Sequence, residues 1–207
     1  MKYVTHFLAC LATLGITCLA SAQDFKKQHH HHLNPPEVPA EIAVPVGNEP
    51  FLIGHAIGTQ NYVCVPSGAT FTWSLFTPQA TLFDDHGRQL TTHFFSPNPF
   101  ESPATVRATW QDSDDTSSFW GAVVRPSTDA NFVSPGAIPW LLIAPPAPNT
   151  EPTGRGHLIG TTFVQRVKTE GGVAPATGCA TATDIGKRVF VPYTADYVFW
   201  RDADRRD

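Results

Sequence analysis

The sequence predicts an all-β fold: a single-domain β-sandwich or distorted β-barrel of about ten strands with Pro-rich loops. Three observations carry the prediction. Proline (19), glycine (15) and phenylalanine (14) are abundant while charged residues make up only 15% of the 207 residues, a composition of many turns between aromatic strands. Apolar runs separated by turn residues recur at the spacing of a sandwich or barrel. Helix signals are scarce, with room for a single turn over Ser127 to Phe132.

The clearest strand is Ala69 to Phe76. Ala69, Phe71, Trp73 and Leu75 alternate with Thr70, Thr72 and Ser74, the period of two that makes one face apolar. Thr81 to Asp84 and Gln89 to Phe95 flank Asp85-His86-Gly87, a tight hairpin turn whose glycine suits positive φ, so the two segments should pair antiparallel. Further strands are expected at Glu41 to Val46, Phe51 to Ile57, Gln60 to Val65, Thr105 to Gln111, Phe119 to Arg125 and Trp140 to Ala144. In His157 to Lys168, Gln165 shares a face with Phe163 and Val167. Tyr193 to Arg201 carries bulky groups on both faces, as in a strand covered on two sides. The Pro-rich loops fall between Ser96 and Pro103 and between Pro145 and Gly156.

The chain reads as residues 1–22, a secretory signal; 23–39, a flexible His/Pro-rich leader; 40–201, the β domain; and 202–207, a charged tail. Lys2, the apolar run Phe7 to Leu19 and the small residues Ala20-Ser21-Ala22 are the three parts of a cleavable signal, predicted to be cut after Ala22. The run is too short to span a bilayer, and no membrane span follows. Export to the periplasm or the medium is therefore expected. Loss of Lys2 moves the net charge from -4 to -5 without an acidic block, which argues against a nucleic-acid partner. Cys10 and Cys18 leave with the signal. Cys64 and Cys179 remain, and in an oxidising compartment this even pair reads as one disulfide, with two buried free thiols as the alternative.

No catalytic motif stands out: HExxH, GxSxG and Walker patterns are absent, and no cofactor is implied. Gly154, Gly156 and Gly160 read as a turn, since they precede a strand where a dinucleotide fingerprint follows one. Asp112, Asp114 and Asp115 lack the glycine and closing glutamate of a calcium loop and read as a solvated turn. The only metal candidates are His29, His30, His31 and His32 of the leader. His93 lies among Phe94, Phe95 and Phe100, with Glu101 and Trp110 following. A histidine with a carboxylate and an aromatic wall suits a general base or a sugar cleft, and equally a hydrogen-bonded core histidine. Arg166 and Asp196 are candidates for an ion pair.

Four segments resemble one family. They are His55 to Cys64; Ile138 to Leu142; Gln165-Arg166-Val167 with Thr169, Gly171, Gly172, Pro175 and Cys179; and Val191 to Tyr197. The resemblance is to the secreted bacterial and fungal domain of unknown function family catalogued under the number 3455. It implies no activity or catalytic residues. Some members carry the label malate dehydrogenase, which this sequence, without a dinucleotide turn or alternating strands and helices, does not support. The family pattern contains both Cys64 and Cys179, in agreement with a bridge.

Three functions follow. The first is noncatalytic binding of a small molecule or surface glycan through an aromatic cleft, with Trp110, Gln165 and Tyr193 as ligand-binding candidates. The second is an extracellular hydrolase or isomerase using His93 with Glu101 or Asp112. The third is a structural envelope or matrix protein.

Overall fold

The structure is a computed structural model, and it describes residues 33–146 and 152–205. The secretory signal and the His29 to His32 tract lie outside these residues. Within them the chain is all-β: eight antiparallel strands, each paired with its neighbour in sequence, close into one barrel as the last meets the first. They are β1 (Asn48–Ser67), β2 (Thr70–Phe83), β3 (Gln89–Pro97), β4 (Val106–Asp112), β5 (Ser118–Ser127), β6 (Trp140–Ala144), β7 (Thr161–Gly171) and β8 (Arg188–Asp202).

Eight strands stand where eleven segments read as strands because two pairs fuse and one segment falls outside the sheet. Phe51 to Ile57 and Gln60 to Val65 are one strand, β1, which runs through Gly58 without a break. A Cβ at Gly58 would lie 2.2 Å from the Gln79 carbonyl oxygen and 2.5 Å from the Ala80 Cα, so the glycine permits close approach of β1 and β2. Ala69 to Phe76 and Thr81 to Asp84 likewise join across Pro78 as β2. The missing N–H of Pro78 is tolerated because β2 pairs with β3 only from Ala80 to Phe83, which leaves that edge of Pro78 outside the ladder. Glu41 to Val46 is not a strand: Ala40–Ile42 forms a 3-10 turn and the chain then runs extended over the outer wall. The β7 strand starts at Thr161, after turns in which Gly154, Gly156 and Gly160 have positive φ.

Strand alternation sorts the side chains into two cores. Inside the barrel, small residues of β1, β2 and β8 (Ala56, Ala80, Ala195) make room for Trp110, Phe119, Tyr197 and Phe199, which fill the lumen as expected of an eight-stranded barrel. Outside it, Val167, Val198, Trp140 and Leu142 are roofed by Ile42, Val38 and Val44 of the leading segment and by Val133. Strand β8 thus serves both cores, Tyr197 and Phe199 inward and Val198 outward, which explains its bulky residues on both faces. Cys64 and Cys179 form a disulfide, with Cα atoms 5.5 Å apart.

Candidate functional site

His93, on β3 and 4% exposed, sits in the lumen. Its ring stacks on Trp110 with centroids 4.2 Å apart and leans on Tyr197 at 5.2 Å. The Thr109 carbonyl oxygen, 2.9 Å from Nδ1, can only accept, so Nδ1 carries the proton. Burial pushes the pKa of His93 down to about 3, opposed by the bond to Thr109, and the ring stays neutral.

Glu101 is engaged elsewhere. Its carboxylate accepts from Asn98 and, through both oxygens, from Arg107, whose guanidinium chiefly holds it at about 2. Asp112 ends β4 across from Thr91, one pleat beyond the His93 and Trp110 pair. Trp110 and Tyr193 are both buried in the lumen, where Tyr193 Oη meets Tyr197 Oη at 3.3 Å and burial raises both phenol pKa values. Gln165 is on the other side of the wall: its amide donates to the Ile42 carbonyl at 2.7 Å and accepts from the Trp200 indole at 2.9 Å, which ties the leading segment to β7 and β8. The three ligand-binding candidates are therefore divided between the lumen and the outer core.

The expected pairing of Arg166 with Asp196 does not form. Arg166 pairs across strands with Tyr197, on the lumen face, and donates from Nε and a terminal nitrogen to the Pro139 carbonyl oxygen. Asp196 faces outward and takes His55 and Lys168 instead. His55 Nδ1 lies 2.6 Å from Asp196 Oδ1, His55 Nε2 lies 2.9 Å from Asp85 Oδ1, and Lys168 Nζ lies 3.1 Å from Asp196 Oδ2. Sequence reasoning missed this clasp because its members are 30 and 141 residues apart and share no local pattern.

The Asp196 hydrogen bond, opposed by partial desolvation and helped by Asp85, raises the His55 pKa above its ordinary value. A group raised in the folded state adds stability that is whole below the unfolded pKa, about 6.5, and is lost as pH rises through the folded value. Unfolding free energy measured by denaturant titration is expected to decline by a fraction of a kcal/mol across that window, because the half-exposed ring is screened by solvent. In His55→Gln the decline should vanish; an identical pH profile in the variant would rule the clasp out as its source.

An open groove of about 560 Å³ lies over β1 to β3, where β2 and β3 separate. Ile57, Pro78 and Phe94 supply apolar surface; Thr77, Gln79, Thr81 and Thr92 supply hydroxyl and amide groups; and Ala80 and His93 complete the lining. Among the described residues no carboxylate, lysine or arginine borders it. A groove that spans three strands is assembled by register, so of its lining the sequence alone singles out only His93 and the adjacent Phe94.

At the barrel end that holds the β4 to β5 turn, Asp112, Asp115 and His157 converge, each offering one ligand atom within 4.8 Å of the others. The Asp turn is thus covered by the loop after β6 rather than simply solvated. Gly156 makes this possible, since a Cβ there would lie 1.8 Å from the Asp115 carboxylate. Among the described residues no helix is long and apolar enough to cross a membrane.

A family model described as a protein of unknown function (DUF3455) matches residues 45–201. No curated protein and no solved structure matches the chain.

Proposed function

From the premise that the chain belongs to the DUF3455 family, whose description names no activity, we propose that it is an exported binding protein. Its ligand is a neutral, hydroxyl-rich molecule of glycan type, held in the groove over β1 to β3. The groove carries this reading. Its volume is within the range of small-molecule sites, roughly 300 to 1,000 Å³. Its chemistry suits a sugar: Phe94, Ile57 and Pro78 can take the apolar face of a pyranose ring while three threonines and Gln79 meet its hydroxyls. A lining without formal charge gives no hold on an ionic ligand.

The hydrolase or isomerase reading is the weaker one. It needs a proton carrier, and His93 is held neutral by burial with Nδ1 committed to Thr109. Of its two expected partners, Glu101 is committed to Arg107, and Asp112 to the Asp114 and Asp115 amides and His157. Export is supported by the signal-like first 22 residues and by the disulfide, which persists in oxidising compartments.

A glycan array followed by titration calorimetry tests the proposal. Binding to neutral glycans is expected, with Phe94→Ala weakening it at least tenfold, about 1.4 kcal/mol. An array without binders, or a binder unaffected by Phe94→Ala, would overturn it.

A further inference from the structure

We propose that Asp112, Asp115 and His157 form a binding site for a divalent cation of the zinc class, at the barrel end that carries the β4 to β5 turn and apart from the groove. His157 Nδ1 lies 3.3 Å from Asp112 Oδ2 and 3.4 Å from Asp115 Oδ2. These separations are long for hydrogen bonds to a carboxylate, which run to about 2.7 to 2.9 Å. The comparison is internal to the molecule, because the His55 ring meets its two carboxylates at 2.6 and 2.9 Å. They match the edge of a coordination tetrahedron instead: zinc bonds to nitrogen and oxygen of about 2.0 to 2.1 Å place neighbouring ligand atoms about 3.3 to 3.4 Å apart.

Each carboxylate is held so that one oxygen builds the turn and the other faces His157. Asp112 Oδ1 accepts from the Asp114 and Asp115 amides. Asp115 Oδ1 accepts from the Ser117 amide and hydroxyl, while Oδ2 also accepts from the His157 amide at 2.8 Å. The nearby guanidinium of Arg88 reaches Asp114, at 3.9 Å, and Asp84. The Asp112 side chain is only 3% exposed, so a nearly dry carboxylate and a second one beside it share the His157 imidazole. Two adjacent carboxylates in low dielectric are costly without a cation.

Thr91 gives an independent sign of a ligand. It is fully buried, pairs directly with Asp112 across β3 and β4 with its side chain on the same inner face, and its hydroxyl has no hydrogen-bond partner. An unpaired hydroxyl on the residue directly across from Asp112 is a buried polar group that nothing in the protein satisfies. The His157 side chain is 65% exposed, so a cation can reach the three ligands from solvent. Two oxygens and an imidazole favour zinc or cobalt over calcium, which takes six to eight oxygens.

Cobalt(II) titration followed by visible absorption tests the site, using the chain with His29 to His32 replaced by alanine so that the tract cannot compete. One equivalent of Co²⁺ is expected to bind with the intense visible bands of four-coordination and to be displaced by Zn²⁺. His157→Ala should weaken binding by at least a hundredfold, while its far-ultraviolet circular dichroism remains that of the parent. Asp115→Asn, which keeps an acceptor for Ser117, should do the same. Absence of binding in the tract-free chain, weak bands of six-coordination, or undiminished affinity in both variants would overturn the proposal.

Discussion

Replacing Cys64 and Cys179 together by serine is expected to lower the unfolding free energy by about 4 to 5 kcal/mol in the chain-entropy account, because the bridge closes a loop of 115 residues in the unfolded chain. That is a large share of the 5 to 15 kcal/mol typical of a domain. The effect should come from the unfolded state, since the folded loop has other anchors. The Cys64 amide donates to the Lys187 carbonyl, and the Gly186 amide to the Cys64 carbonyl. The Trp73 indole donates to the Thr177 carbonyl, and the Tyr62 hydroxyl to the Gly172 carbonyl. Asp184 draws in the Ala180 and Thr181 amides and Lys187. Denaturant titrations of the oxidised protein and the double variant, fitted with a shared slope, measure the difference. A loss below about 1 kcal/mol would show that the bridge contributes little beyond these anchors.

The disulfide is legible in the sequence because it requires only counting and a compartment, and the strands are legible because alternation is written locally. Tyr193 to Arg201 announces its two covered faces through bulky residues on both, and Gln165 does share with Phe163 and Val167 the wall facing the outer core. Punctuation is what misleads. Gly58 and Pro78 look like breaks, yet each sits where the barrel needs a missing Cβ or can spare an N–H. Parity alone also puts Arg166 and Asp196 together; register instead pairs Arg166 with Tyr197 and Asp196 with Val167, on opposite faces.

The functional chemistry is less legible for the same reason. His157 reaches Asp112 over 45 residues, and His55 reaches Asp196 over 141. Closure of β8 on β1 makes His55 and Asp196 neighbours, the loop after β6 folding over the β4 to β5 turn brings His157 to Asp112, and nothing local encodes either. The one available cue is Gly154-Arg155-Gly156-His157: glycines that let a loop approach another segment closely, followed at once by a ligating side chain. The Asp112 cluster read alone is only a turn.

Trp110→Ala is expected to cost about 3 to 5 kcal/mol, the range for deleting a fully buried indole from a packed core. The indole is the centre of the lumen: its centroid lies 4.2 Å from that of His93, 5.5 Å from that of Tyr197, 5.8 Å from that of Phe119 and 6.1 Å from that of Phe199. Removing it takes surface from four rings at once, and the small residues on β1 and β2 offer little to collapse into the space. Trp110→Phe separates packing from polarity. It keeps most of the ring contacts and deletes an indole N–H that is buried without a hydrogen-bond partner, so its cost should stay below about 1.5 kcal/mol. The pair also bears on the groove, because His93 lines it and is braced from within by Trp110. Glycan affinity should hold in Trp110→Phe and fall in Trp110→Ala under conditions where both remain folded. Equal unfolding free energies for the two variants would mean that the lumen is not organised around this ring.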